Sequence, residues 1–141
     1  MLEAKEDPNE ERGQEVMHTI LICDDDRDIV SALDIYLASE GYRTLKAYNG
    51  LEAIQAVERN EVHLILMDIM MPVMDGLEAS KKIRELPEGK GKDIPIIAMT
   101  ANAFVEDKEK TKEAGMNAHL TKPVNREEII RVLAAYWKNK G

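Results

Sequence analysis

Asp68 closes the apolar run His63-Leu64-Ile65-Leu66-Met67 and is followed by Ile69-Met70-Met71-Pro72-Val73-Met74-Asp75-Gly76. An ionised carboxylate ending a buried strand is costly unless something compensates it or uses it. A second apolar run, Thr19-Ile20-Leu21-Ile22-Cys23, also ends in acids, Asp24-Asp25-Asp26. Downstream, Pro95-Ile96-Ile97-Ala98-Met99 delivers Thr100, and Ala118-His119-Leu120-Thr121 delivers Lys122-Pro123. Carboxylates that converge repel, and a divalent cation relieves them. Mg2+ suits such a set, because it takes oxygen ligands and uses only one or two carboxylates directly. Zn2+ would want His or Cys, and the three histidines, His18, His63 and His119, are scattered. Beside a cation Asp68 is ionised and can attack phosphorus as a nucleophile. Lys122, Thr100 and the metal would neutralise or hydrogen-bond the incoming phosphoryl oxygens, the positioning-plus-charge pattern of phosphoryl transfer. No Walker A loop is present, so the donor is not expected to be a nucleotide bound here.

The elements that would bring these groups together alternate strand and helix from Thr19 onward. Strands are expected at 19–23, 43–48, 63–67, 94–99 and 118–121. Helices are expected at 28–39, 51–59, 76–86, about 103–114 and 126–138, the last capped by Asn125. In the first helix Ile29, Leu33, Ile35, Tyr36 and Leu37 fall at helical spacing. Five βα units with near-continuous apolar strands and short connections predict an α/β fold, a flavodoxin-like (βα)5 doubly wound parallel sheet. Its strand order would be 2-1-3-4-5, which sets strands one and three side by side and gathers Asp24, Asp25 and Asp68 at the carboxyl edge.

At 141 residues with 44% hydrophobic content the chain is expected to hold one domain. A net charge of −8 argues against nucleic acid as a direct partner. The lone Cys23 sits in an apolar strand and reads as a small buried hydrophobe, which fits a reducing compartment. No apolar stretch approaches the length of a membrane span and no signal peptide is visible, so a soluble, cytoplasmic protein is expected. Residues 1–18 stand apart. Glu3, Glu6, Asp7, Glu10, Glu11 and Glu15 oppose only Lys5 and Arg12, which predicts an acidic flexible arm or linker ahead of a domain at 19–141. Met17 could equally be a native start.

Residues 19–138 resemble the receiver domain of two-component response regulators. The resemblance rests on Asp24-Asp25, the run Met67 to Gly76, the stretch Met99-Thr100-Ala101-Asn102-Ala103, and Lys122-Pro123. It implies that Asp68 is the phosphoacceptor. Asp25 would bind Mg2+ directly, Asp24 mainly through water, and the backbone carbonyl of Met70 would be a further ligand. Lys122 would bridge Asp68 and the phosphoryl group, Thr100 would be the switch hydroxyl, and Lys122-Pro123 would be a cis bond. Pro72 and Gly76 would shape the loop below the acceptor. The family's switch aromatic is usually Phe or Tyr; here His119 stands in its place, which predicts a Thr100–His119 coupling with some pH sensitivity. Met70 and Asn102 would flank the phosphoryl group, and an apolar Met70 cannot orient an attacking water, so slow autodephosphorylation is expected.

The implied donor is a sensor histidine kinase or a histidine phosphotransfer protein. The implied output is protein contact through the face built from the fourth helix, fifth strand and fifth helix, with Phe104 and Trp137 as candidate anchors. The protein would catalyse only its own phosphorylation and dephosphorylation. It is expected to be a stand-alone receiver or the receiver segment of a larger chain such as a hybrid kinase. Three other readings stand beside this one. A receiver-like module could act without phosphorylation. A haloacid-dehalogenase-type phosphatase would want a second Asp where Met70 sits. An FMN carrier would find its phosphate repelled by Asp24-Asp25-Asp26.

Overall fold

The computed structural model describes residues 17–101 and 108–138. Five strands form one sheet: β1 (Thr19–Cys23), β2 (Arg43–Ala47), β3 (Leu64–Asp68), β4 (Ile96–Thr100) and β5 (Ala118–Thr121). All pairs are parallel and the order is β2-β1-β3-β4-β5. The helices are α1 (Arg27–Ser39), α2 (Gly50–Arg59), α3 (Gly76–Arg84), α4 (Lys108–Glu113) and α5 (Arg126–Lys138), with a short 3-10 turn at Pro87–Gly89. This is the expected flavodoxin-like (βα)5 sheet in 2-1-3-4-5 order.

The three central strands are buried along their whole length, as strands covered on both faces must be. The pleat divides their side chains. Leu21, Cys23, Ile65, Met67, Ile96 and Ala98 pack under α2 and α3 with Ala53, Val57, Ala79 and Ile83. Ile20, Ile22, Leu64, Leu66, Ile97 and Met99 pack under α1 and α5 with Val30, Leu37, Ile129 and Val132. The edge strand β2 exposes Arg43 and Lys46, charges that discourage pairing with another chain.

Caps fix the helix starts. Asp26 accepts from the Asp28 and Ile29 amides, Asn49 from Glu52, Asp75 from Glu78, and Asn125 from Glu128, each satisfying an amide that the helix itself leaves unpaired.

Some boundaries and faces differ from the sequence-based expectation. Strand β3 runs on through Asp68 and β4 through Thr100, because the apolar run stops before the ladder does. Helix α3 ends at Arg84 rather than 86. Ile35 faces outward at 71% exposure; the buried face of α1 is Val30, Leu33 and Leu37, and Ile35 lies away from that stripe. Helix α4 is described from Lys108; its expected start, with Asn102 and Phe104, lies outside the described residues. So do residues 1–16. His18, assigned with them to the arm, instead stacks on Trp137 at 4.2 Å and meets His63 edge-on at 5.2 Å.

Trp137 is correspondingly not an exposed anchor. Its indole N–H donates to the Tyr42 hydroxyl at 2.9 Å, and its ring packs against the α1–α5 core.

Candidate functional site

Register alone assembles the site. Cys23 lies opposite Met67, so Asp24 emerges beside Asp68. Asp68 lies opposite Met99, and Thr100 opposite Thr121, the residue before Lys122. Backbone bonds carry the ladder past the strand ends: the Asp24 amide donates to the Ala47 carbonyl, Ile69 to Met99, and Lys122 to Thr100 at 2.8 Å. All of these groups sit at the carboxyl edge, where the sheet order reverses around β1 and β3.

The three acids of Asp24-Asp25-Asp26 take three roles. Asp24 is fully buried; one oxygen accepts from the Asp26 amide at 2.9 Å and the other lies 2.8 Å from Lys122 Nζ. Asp25 is exposed. Asp26 caps α1. Oxygens from Asp24, Asp25 and Asp68 lie within 4.8 Å of one another, the sole such group of metal-ligating side chains among the described residues.

Asp68 Oδ1 accepts from Lys122 Nζ at 3.2 Å and from the Met70 amide at 3.3 Å. Burial, then the neighbouring Asp24 charge, raise its pKa to about 6; Lys122 and the Met70 amide oppose them. Lys122 is itself held protonated, its pKa raised by the two carboxylates against its burial. Three acids against one ammonium leave the cluster short of positive charge. That deficit, and an all-oxygen donor set with one exposed member, fit a hard cation that keeps waters.

The loop after Asp68 is shaped by a close approach. A Cβ on Gly76 would stand 2.2 Å from the Asp68 carbonyl oxygen and 2.9 Å from Ile69 Cα, so only glycine lets α3 start there. Between them the Met74 amide donates to the Pro72 carbonyl, turning around Val73, which is fully exposed at φ 68°. This region is one that β-branched residues rarely occupy. Met70 is 69% exposed beside Asp68.

Thr100 is buried, and His119 is half-buried one pleat earlier on β5. Ala98 pairs with His119 and Thr100 with Thr121, so Thr100 and His119 share a face of the sheet as diagonal neighbours. The Lys122-Pro123 peptide is cis. Asn102 lies outside the described residues.

One feature of the site escaped the sequence reading. Ile29, Ala32 and Leu33 of α1 and Pro123-Val124 enclose an apolar cavity of about 350 Å³ that opens beside Lys122. The i, i+3, i+4 spacing on α1 was visible, but its exposure depends on how α1 meets the Lys122-Pro123 turn.

The chain matches the family model described as response regulator receiver domain over residues 20–134. It is 42% identical over 117 residues to an uncharacterized 14.6 kDa protein of Leptolyngbya boryana, covering 83% of this chain and 88% of that protein. It is 35% identical to the sensor histidine kinase RcsC of Salmonella typhi, over 83% of this chain but 12% of the kinase. Among solved structures it resembles the receiver domain of the sensor histidine kinase PA1611 from Pseudomonas aeruginosa, which has magnesium coordinated in its active-site cleft. That likeness has a TM-score of 0.77 at 37% identity, over 86% of this chain and 98% of the other. It also resembles the receiver domain of Ssk1 from Saccharomyces cerevisiae, solved with the histidine phosphotransfer protein Ypd1, with a TM-score of 0.77 at 31% identity, over 85% and 88% of the chains. The chain therefore belongs to the response regulator receiver domain family, the signalling modules of two-component systems.

Proposed function

We propose that this receiver is a phosphorelay switch in which Asp68 takes a phosphoryl group from a phosphohistidine on a sensor kinase or phosphotransfer protein. The observation that carries the reading is the buried Asp24–Lys122–Asp68 cluster at the carboxyl edge. An Asp68 oxygen forms the new P–O bond while the P–N bond to the donor imidazole breaks. That nitrogen leaves with the electron pair and is protonated. Asp68 needs no base, since at pH 7 it is predominantly ionised even with its raised pKa. Lys122 offsets charge on the phosphoryl oxygens, and Asp24 holds Lys122 in place. Thr100 donates its hydroxyl once the group arrives, with His119 following on the same face. Asp25, Asp24, Asp68 and the Met70 carbonyl would hold Mg2+. When bound, the ion supplies charge neutralisation for the phosphoryl oxygens. Exposed, apolar Met70 beside Asp68 offers no group to orient water, which supports slow autodephosphorylation.

The donor reading draws on the Ssk1 receiver, solved with Ypd1, and on the apolar α1 cavity next to Lys122, where a helical donor could lay an apolar stripe. Output is assigned to the α4-β5-α5 face. The acidic arm expected at residues 1–18 is kept as a proposal for residues 1–16, since His18 packs on Trp137. Among the described residues no helix is long and apolar enough to cross a membrane; the cytoplasmic setting is part of the proposal.

The test is intact-protein mass spectrometry after incubation with acetyl phosphate. The wild type gains one phosphoryl mass with Mg2+ and none with EDTA, and Asp68→Ala gains none. Absence of a gain in wild type, from acetyl phosphate and from a phosphohistidine donor alike, would leave a receiver that works without phosphorylation.

A further inference from the structure

The chain carries net charge −8, yet one cavity is strongly cationic. Between α3, α4 and β5 lies a cleft of about 580 Å³ lined by Arg84, Lys92, Lys108, Lys112 and His119, with no carboxylate among its described lining residues. Arg84 gives the cleft a fixed, partly buried charge. Its guanidinium donates to the Gly115 carbonyl at 2.6 and 3.1 Å, to the Gly91 and Lys92 carbonyls at 2.7 and 3.1 Å, and to Asn117 Oδ1 at 3.0 Å. Every one of these acceptors is neutral, so the hydrogen bonds fix the charge in place without cancelling it. Asp93 is near enough to act on it but does not line the cavity.

The acidic complement is in the same chain. Residues 1–16 hold six acids and two bases, a net −4. We propose that this segment docks in the α3-α4-β5 cleft. The sheet is wholly parallel, so Met17-His18 ahead of β1 and Gly115-Met116-Asn117 ahead of β5 stand at the same end. Three strand steps separate β1 from β5, about 14 Å. Sixteen residues can span up to about 50 Å. Tethering makes the encounter intramolecular, so even a weak electrostatic attraction is occupied. Because His119 and α4 line the cleft, the docked segment covers part of the face assigned to output and competes with an acidic partner there.

The test compares 1H–15N spectra of the full chain and of a chain beginning at Met17. At low salt, amide shifts at Thr111, Lys112, Gly115 and Met116 differ between the two. The differences collapse at 0.5 M NaCl, where the screening length is about 4 Å. The triple variant Glu6→Lys, Glu10→Lys, Glu11→Lys, whose changes lie outside the domain, reproduces the spectrum of the shortened chain. Identical cleft amides in the two chains would overturn the proposal. So would differences that survive high salt or the triple variant, or that map elsewhere.

Discussion

Asp68 is held in a setting that opposes its own ionisation, and this has a measurable sign. Its pKa of about 6 in the folded chain exceeds the ordinary 3.8. Between those values the folded chain keeps a proton that the unfolded chain has released. Stability therefore falls as pH rises through that window, and the penalty is fully present above pH 6. In chelator at pH 7, Asp68→Asn is expected to be more stable than wild type by on the order of 2 kcal/mol. Urea titrations should show the gap closing toward pH 4. An Asn variant less stable at pH 7 would mean that the lost Lys122 contact outweighs the relieved burial. Gly76 is the other residue with little latitude. Gly76→Ala forces a methyl against the Asp68 carbonyl and should cost roughly 2–3 kcal/mol. Because the loop below Asp68 must move, its phosphorylation by acetyl phosphate should slow as well, which the same mass assay reads.

At the scale of elements, Arg84 ties three pieces of chain together: the end of α3, the Gly91-Lys92 segment, and the turn before β5. Asn117 completes the tie by accepting from the Ile96 amide at 2.8 Å. Arg84→Met keeps the stem but strands several carbonyls. It should cost about 2–3 kcal/mol and raise hydrogen exchange at Met116 and Asn117 first. None of this was readable from the sequence, where Arg84 is one charge among many on an exposed-looking helix. What was readable followed from periodicity and strand ends. Apolar runs gave the five strands, and their C-terminal residues placed Asp24, Asp68, Thr100 and Lys122 at one edge. Sequence periodicity does not register how far a ladder continues past its apolar run, so the carboxyl ends of β3 and β4 fall one residue beyond the expected Met67 and Met99. Nor does it show which aromatic is already engaged: Trp137 on an amphipathic helix reads as an anchor until Tyr42 and His18 are seen to pack against it. The division of labour among Asp24, Asp25 and Asp26 likewise needed the turn geometry.

At the scale of the molecule, the sheet separates two ends. Phosphoryl chemistry is assigned to the carboxyl ends of the strands, while Trp137, Tyr42 and His18 gather at the amino ends. A five-residue strand is about 17 Å long. The single tryptophan should therefore report global unfolding and be blind to the site. Titration with Mg2+ is expected to leave its emission unchanged while raising the urea midpoint. A large quench on adding Mg2+ would mean that the two ends are conformationally linked. Cys23, the chain's one thiol, lies fully buried between Asn49 and Met71. Burial, then the charges of Asp24 and Asp68, push its pKa far up. A disulfide-exchange dye should count no thiol in the folded chain and one in urea. The interior has thus already hidden the only competing thiol. A cysteine introduced in place of exposed Lys112 would take a maleimide spin label alone, and the distance from the cleft to any other part of the chain becomes measurable without rebuilding the core.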